Sequence, residues 1–385
     1  MDDPHLLSIV LFGAAALSVF YVLAGYPLLV ALWAHLSPRP VRTNPAHTES
    51  VTVVIAVRDG ARWLARKLDS VLAQDYPPHL LDVLVVSDGS ADATDAIALS
   101  YAPRGVRMLC VPAGGKPAAL NAAVPLTRGD LLFLTDVRQV LEPDCLRRLV
   151  ASMADPQVGV VSGDLRIQEG ATEEERNTGL YWRYENWIRG NLARIDSMLG
   201  ATGPVNLIRR RLYVHIPEDS LLDDVFLPLS IHRAGYRLVL DPEAVAIDEP
   251  TGLGSEFRRK VRTQAGILQL LATFPGLFDP SKRIFWHFFS IKVGRLFLPF
   301  LMALLFAAAW MLPPPWNLWM GIPQAVLWGL ALADPLFPTG IAVKRLTAPP
   351  RAFAVLIGAA FCAWKILFVS PKNLWVETRK VEGHL

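Results

Sequence analysis

Two aspartates follow apolar runs at the points where strands are expected to end. Asp88 closes "LDVLVVSD" and Asp136 closes "LLFLTD". Ligands of parallel α/β sheets bind at the carboxyl ends of the strands, so both side chains are expected to face one crevice. One carboxylate there can accept hydrogen bonds from a nucleobase or ribose, and a second can hold a divalent cation against a diphosphate. Each alone has a simpler explanation, because "SDGS" is also a common turn.

Arg138 stands two residues after Asp136, where a second carboxylate would complete a metal clamp. Three interpretations remain open. Asp136 and water molecules can hold the cation, because Mg²⁺ needs only one or two carboxylates. Alternatively, the Arg138 guanidinium can itself grip phosphate in bidentate fashion. In the third interpretation, the site has lost its activity.

A lysine follows a glycine pair in the segment "GGKPAALN" (114–121). A flexible turn with Lys116 before a helix start suits an anionic group, although it also suits any surface loop. This segment lies between Asp88 and Asp136 in the sequence, and that order strengthens the interpretation of the three elements as one binding site.

The residues that must position these side chains alternate between strand and helix patterns. Strands are predicted at 51–57, 81–88, 107–111 and 130–136, with an amphipathic helix at 61–74. Short apolar strands separated by helices predict an α/β fold with a Rossmann-like, mostly parallel sheet covered on both faces.

Composition places the chain between soluble enzymes and membrane bundles. It has 385 residues, 52% of them hydrophobic, and a net charge of +3. The three cysteines lie far apart, so neither a disulfide framework nor a zinc site is indicated. The net charge decides little by itself, and we expect no nucleic-acid partner.

Charge-free stretches predict membrane segments at both ends. No charged residue occurs between His5 and Arg39, which predicts an anchor at 1–37, and the basic residues that follow place the next domain in the cytoplasm. Further spans are predicted within 296–370, with the side of the last one left open because basic residues flank both of its ends. Between these parts lie amphipathic interface helices at 256–295, and a basic tail follows at 371–385.

Seven segments, in this order, resemble a membrane-anchored family 2 glycosyltransferase with the GT-A fold, in the superfamily of cellulose, hyaluronan and poly-N-acetylglucosamine synthases. The likeness places the GT-A domain at 48–255. The segments are "VVIAVRDGARWLARKLDSVLAQDYP", "VLVVSDGSADAT", "GGKPAALNAAV", "LLFLTDVRQVLEPDCL", "GATGPVNLIRRRL", "LLDDVFLPLSIHRAGYRL" and "FRRKVRTQ".

The resemblance implies a role for each matching residue. Asp224 corresponds to the catalytic base, and Asp136 to the metal-binding carboxylate of the DxD motif, which implies Mg²⁺ or Mn²⁺. The residues implied on the donor side are Ala56, Val57, Asp59, Asp88, Lys116, Asn121, Asp136, Arg138, Arg259 and Arg262. The residues implied on the acceptor side are Asn206, Asp223 and Thr263.

The segment "RKVRT" departs from the QxxRW motif of processive members of the family. Arg262 keeps the basic residue, but Thr263 replaces the tryptophan that stacks on the acceptor sugar in those members. The departure favours transfer of a single sugar over growth of a polymer.

The resemblance therefore implies an inverting transferase in a multi-pass inner membrane of bacterial type. It would move a sugar from a nucleotide-sugar donor, with a UDP-sugar expected, to a lipid-linked or membrane-proximal glycan in envelope or exopolysaccharide synthesis. The alternatives are a processive polysaccharide synthase and a non-catalytic nucleotide-sugar sensor.

Overall fold

The computed structural model describes residues 5–168, 173–249, 253–338, 340–371 and 373–374. They form two compact units. We call Trp33–Gln168 together with Asn186–Glu249 the sheet unit, and the other described residues the helical unit. Apart from three residues, the basic tail predicted at 371–385 lies outside the described residues.

Eight strands form one sheet in the sheet unit. They are β1 (Val51–Val57), β2 (Leu81–Asp88), β3 (Val106–Val111), β4 (Leu131–Thr135), β5 (Val140–Leu141), β6 (Val158–Ile167), β7 (Asn206–Arg209) and β8 (Arg237–Asp248).

Thirteen α-helices are present in the described residues. They are α1 (Leu6–Phe20), α2 (Tyr26–Leu36), α3 (Ala61–Leu72), α4 (Thr94–Ser100), α5 (Lys116–Ala123), α6 (Cys145–Ser152), α7 (Glu173–Ile195), α8 (Asp223–Arg233), α9 (Leu253–Thr273), α10 (Arg283–Phe288), α11 (Gly294–Trp310), α12 (Trp316–Ala333) and α13 (Lys344–Ala363).

The strand order is β3-β2-β1-β4-β7-β6-β8-β5. The first four strands in this order are parallel, whereas β7 is antiparallel to both of its neighbours. β1 and β4 are buried almost throughout, as expected for strands covered on both faces. The predicted α/β fold with a mostly parallel sheet is confirmed.

The register brings the two predicted aspartates to one edge of the sheet. β1 pairs with β2 on one side and with β4 on the other. Asp88 is the last residue of β2, and Asp136 directly follows the last residue of β4. The loops that leave the carboxyl ends of these parallel strands therefore carry both carboxylates.

Helix α3 carries an apolar face that is buried in the sheet unit. Leu64, Leu68 and Val71 are fully buried at the three- and four-residue spacing of a helix face. Lys67 lies on this face as well and is only 1% exposed. A buried lysine among leucines needs a partner, because an unpaired buried charge is costly.

The helical unit contains three helices that are long and apolar enough to cross a membrane. They span Leu6–Leu36, Arg283–Trp310 and Lys344–Leu367. The first consists of α1 and α2 joined by one π-helical turn. The second starts at Arg283 with α10 and runs on into α11. It therefore begins inside the segment 256–295, which is predicted to form interface helices. Helix α12 follows the three consecutive prolines 313–315.

Gly163 lies where the β6–β8 pairing shifts register. A Cβ atom at this position would lie 2.1 Å from the Ala244 carbonyl oxygen and 2.4 Å from Val205 Cγ1. We expect Gly163→Ala to destabilise the sheet unit by about 1–3 kcal/mol, because backbone must move to admit the methyl group. The lowered melting temperature can be measured by thermal unfolding in detergent.

Gly190→Ala is the matched control for this substitution. A Cβ atom at Gly190, in helix α7, meets nothing closer than 3.8 Å, and alanine is the better helix former. Its melting temperature is expected to stay the same or rise. Equal melting temperatures for the two variants would contradict the packing argument.

Candidate functional site

Asp88 binds the backbone of the glycine pair that precedes helix α5. Its carboxylate accepts N–H bonds from Gly114 at 2.7 Å and from Gly115 at 3.0 Å, and it is 2% exposed. Gly115 has φ +94°, a conformation that favours glycine. Asp88 therefore fixes the turn that delivers Lys116.

Asp59 joins the end of β1 to the turn after β2. Its carboxylate accepts the Ala91 N–H at 2.7 Å, and its own N–H donates to Ser90 Oγ at 3.2 Å. Ala56 and Val57, at the end of β1, pair with β2. These predicted donor-side residues thus lie at the same sheet edge as Asp88.

Lys116 forms the centre of a charged cluster at this edge. Its Nζ atom donates to Asp136 Oδ1 at 2.7 Å and lies 3.1 Å from Asp223 Oδ2. Burial works against the charged ammonium, but the two carboxylates outweigh it and raise the pKa of Lys116 above its usual value. For Asp136, burial by itself would raise the pKa of the carboxyl group. The charge of Lys116 outweighs burial and holds this pKa below its usual value.

Gly203 lies between the carboxylates of Asp136 and Asp224. A Cβ atom at this glycine would lie 3.2 Å from Asp136 Oδ2 and 3.6 Å from Asp224 Oδ2. The absence of a side chain at this position therefore leaves open the space that both carboxylates face. Asp223 and Asp224 belong to the first turn of α8, where the helix dipole favours negative charge.

Arg138 is bound to the end of β8. Its Nη2 atom donates to Asp248 Oδ2 at 2.6 Å, and Gln139 Nε2 donates to the same oxygen at 2.9 Å. The Asp248 side chain is 4% exposed and that of Arg138 is 21% exposed. The residue in the place of the second DxD carboxylate thus has a carboxylate partner of its own within the protein.

Lys67 lies beneath the loop that carries Asp136. Its Nζ atom donates to Thr135 Oγ1 at 2.6 Å and to the Gln139 carbonyl oxygen at 2.9 Å. Burial, only partly opposed by the charge of Asp136, lowers the pKa of Lys67 to about 7. A neutral amine keeps two N–H donors, which is the number that these two bonds require.

Two asparagines among the predicted residues lie inside the sheet unit. Asn206 is the first residue of β7, its backbone pairs with Leu134 of β4, and it is 2% exposed. Its Oδ1 atom is buried with no hydrogen-bond partner among the described residues. The Asn121 amide donates to the Ile216 carbonyl oxygen at 2.8 Å and accepts the hydroxyl of Tyr213 at 2.8 Å. The predicted contacts of Asn206 with the acceptor and of Asn121 with the donor stay predictions.

Three predicted residues belong to helix α9 in the helical unit. Arg259 is paired with Glu256, and Thr263 Oγ1 donates to the Arg259 carbonyl oxygen at 2.9 Å. Arg262 lies on the same helix. Their predicted roles at the diphosphate and the acceptor stay predictions.

Asp136 is the residue that suits a divalent cation. Within the described residues, no three His, Cys, Asp or Glu side chains are placed to hold one metal ion. One carboxylate beside an open space is nevertheless enough for Mg²⁺, which keeps several of its waters. The site therefore fits a hydrated divalent cation.

Lys67, Gly203 and Asp248 are candidate site residues that the sequence reasoning missed. The sequence pattern could have indicated Lys67, because it lies among leucines on the apolar face of a helix. A lysine buried on such a face must have a partner. No sequence pattern indicated Gly203 and Asp248. They lie next to β7 and at the end of β8, far along the chain from β4, and only the strand pairing brings them to the site.

Comparison with known proteins identifies the class of this domain. Residues 52–216 match the family model described as Glycosyl transferase family 2. The mannosyltransferase PcManGT from Pyrobaculum calidifontis, solved with GDP-Man and Mn²⁺, has the same fold, with a TM-score of 0.66 at 23% identity over 94% of this chain and 99% of that one. Residues 52–216 thus match the family 2 glycosyltransferases, the fold is that of this mannosyltransferase, and the predicted resemblance is confirmed.

The chain is also similar to curated N-acetylglucosaminyltransferases. An N-acetylglucosaminyltransferase of Mesorhizobium japonicum is 32% identical over 55% of this chain and 54% of its own length. Another, from Sinorhizobium fredii, is 29% identical over 69% of this chain and 71% of its own. The chain thus spans about half the length of the first of these relatives.

Lys67 is expected to make stability depend on pH. Its pKa is about 7 in the folded protein and 10.5 for an ordinary lysine. Between these values the unfolded chain binds a proton that the folded chain lacks, so stability rises with pH. Relative to Lys67→Met, the free energy of unfolding of the wild type should rise by on the order of 1 kcal/mol per pH unit above about pH 7.

Thermal melting of both proteins in one detergent, from below pH 7 to about pH 9, measures this difference. Below the folded pKa the lysine is charged in both states, so the difference should become constant. Parallel melting curves over the whole range would show that the pKa of Lys67 is not lowered.

Proposed function

We propose that the protein transfers a sugar, with inversion, from a nucleotide-sugar donor to a lipid-linked or membrane-proximal glycan. The observation that carries the proposal is the cluster at the carboxyl ends of the strands. In it, Lys116 bridges Asp136 and Asp223, and Asp224 faces the same space as Asp136 across Gly203. It combines a cation for the diphosphate with a further carboxylate for proton transfer.

Asp224 is the proposed general base. It would take the proton from the acceptor hydroxyl as that oxygen attacks the anomeric carbon from the side opposite the leaving group. The bond from that carbon to the diphosphate oxygen breaks, and the nucleoside diphosphate leaves as an anion. No acid is needed on the leaving-group side, because a diphosphate is a stable leaving group.

The leaving diphosphate needs positive charge. Lys116 is the cation nearest to the carboxylates, and its raised pKa keeps the ammonium charged at neutral pH. A Mg²⁺ or Mn²⁺ ion held by Asp136 would supply further charge stabilisation. The Mn²⁺ present in the mannosyltransferase structure supports this assignment.

The pairing of Arg138 with Asp248 bears on the missing DxD carboxylate. The Nη2 atom of Arg138 already donates to the buried Asp248 carboxylate, which offsets the guanidinium charge and leaves only its other N–H groups for a phosphate. This pairing favours the alternative in which Asp136 and water molecules hold the cation. Arg138 then acts as an accessory positive charge near the diphosphate.

UDP-N-acetylglucosamine is the donor that we propose first. The curated relatives are N-acetylglucosaminyltransferases, and two of them match this chain at 32% and 29% identity. GDP-mannose is the second candidate, because the solved mannosyltransferase with this fold holds GDP-Man.

The acceptor is proposed to lie at a membrane. Three helices of the helical unit are long and apolar enough to span one. Arg39 and Arg42 follow the first of them, which favours a cytoplasmic sheet unit where nucleotide sugars are made. Thr263, in place of the stacking tryptophan of processive relatives, favours transfer of one sugar.

Release of nucleoside diphosphate by the detergent-purified full chain tests the proposal. The donors are UDP-N-acetylglucosamine, UDP-glucose and GDP-mannose, each with Mg²⁺, Mn²⁺ or EDTA and with a membrane lipid extract as the acceptor source. We expect metal-dependent release from the first donor. Asp224→Asn should lower it by about 10²–10⁴-fold, the usual contribution of a general base, while nucleotide binding measured by calorimetry persists.

Asp69→Asn is the control for the loss of a carboxylate. Asp69 lies on α3, is half exposed and pairs with Arg104. Release that survives in Asp224→Asn would show the base assignment to be wrong. Release that persists in EDTA would put Arg138 in the place of the metal, and products longer than one sugar would indicate a processive synthase. Donor binding without release from any donor would favour a sensor.

Gly203→Ala tests the space between the two carboxylates. A methyl group 3.2 Å from Asp136 Oδ2 should displace that carboxylate, and a misplacement near 1 Å can cost about 100-fold in rate. We expect kcat/KM to fall on this scale with an unchanged melting temperature. A rate equal to that of the control Gly190→Ala would mean that the space is not used.

A further inference from the structure

The segment Thr135–Gln139 carries both unusual features of the site. It joins β4 to β5 and contains Asp136 and Arg138. A loop that must hold a carboxylate in one position needs anchors at both of its ends. In this protein both anchors are made by one side chain.

Lys67 supplies these two anchors from helix α3. Its Nζ atom bonds the Thr135 hydroxyl at 2.6 Å and the Gln139 carbonyl at 2.9 Å, which are the first and last residues of the segment. The side chain is 1% exposed, so water does not compete for these bonds.

Thr135 extends the hydrogen-bond chain to the opposite wall of the site. Its hydroxyl donates to the Pro204 carbonyl oxygen at 2.6 Å. Pro204 directly follows Gly203, whose open side faces Asp136 and Asp224. The chain Lys67–Thr135–Pro204 thus links helix α3, the end of β4 and the turn that contains Gly203.

Stability does not account for a lysine at this position. Leu64, Leu68 and Val71 share its helix face and are fully buried. A buried ionisable side chain carries a desolvation cost that an apolar residue of similar size does not carry. The lowered pKa of Lys67 reflects this cost.

We propose that Lys67 is a positioning residue for sugar transfer, which sets the separation between Asp136 and the Gly203 turn through the Thr135 hydroxyl. The proposal rests on the proposed function, because its readout is transfer. Lys67 touches neither donor nor acceptor. It acts by holding the Asp136 carboxylate where the diphosphate and its cation are bound.

Lys67→Met and Thr135→Val test this role by removing one bond partner each with little change in volume. We expect each to lower kcat by about 10–100-fold, the scale of a small misplacement of a catalytic group, and to raise the Mn²⁺ concentration for half-maximal rate. The melting temperature of Lys67→Met should fall less than that of Leu68→Ala, because the loss of a hydrogen-bond donor costs less than a cavity in the core. The double variant should be no slower than the slower single variant, because both remove the same chain of bonds.

Two further variants separate positioning from general damage to the core. Thr135→Ser keeps the hydroxyl and should restore most of the rate lost in Thr135→Val. Leu68→Ala, on the same buried face, should lower the melting temperature but leave the metal dependence of the folded protein unchanged.

The outcomes distinguish this proposal from the proposed function. If the wild type transfers sugar and Lys67→Met keeps its rate and Mn²⁺ dependence, the positioning role is wrong and the proposed function stands. The same holds if Thr135→Ser is as slow as Thr135→Val, or if the effects of the single variants multiply. If the wild type transfers no sugar from any donor, both proposals fail.

Discussion

The site depends on one ammonium group held between carboxylates from distant parts of the chain. Lys116 comes from the start of α5, Asp136 from the end of β4 and Asp223 from the start of α8. Without that cation, acidic side chains at one sheet edge would repel each other in a partly buried space. The ion pairs therefore fix the geometry of the edge, and in the proposed function the same ammonium would face the diphosphate.

The rest of the charge balance at this edge follows the same logic. Arg138 replaces an expected acid, and the buried carboxylate of Asp248 neutralises it. Lys116, in contrast, is shared by Asp136 and Asp223, so this part of the edge keeps an excess of negative charge. A divalent cation bound at Asp136 would offset part of that excess.

The fold and half of the site can be read from the sequence, for physical reasons. Strands buried on both faces are continuous apolar runs, so β1, β2 and β4 are visible, and with them the convergence of Asp88 and Asp136. Gly203 is brought to the site by the antiparallel pairing of β7 with β4. A local sequence pattern does not identify which strand β7 pairs with. Asn206 shows the same limit, because a pattern does not reveal whether an asparagine faces a ligand or lies buried in a strand.

The bonds that Asp88 accepts from two glycine N–H groups bear on the donor role that the resemblance implies for it. A carboxylate with both oxygens committed to Gly114 and Gly115 offers few lone pairs to a ribose or base. In that role, an incoming ligand would have to share these oxygens or displace the glycine N–H groups, which could then donate to a phosphate oxygen. Ligands that provide both a sugar-side donor and an anionic acceptor would lose least in this exchange, so the turn would favour nucleotides over free nucleosides.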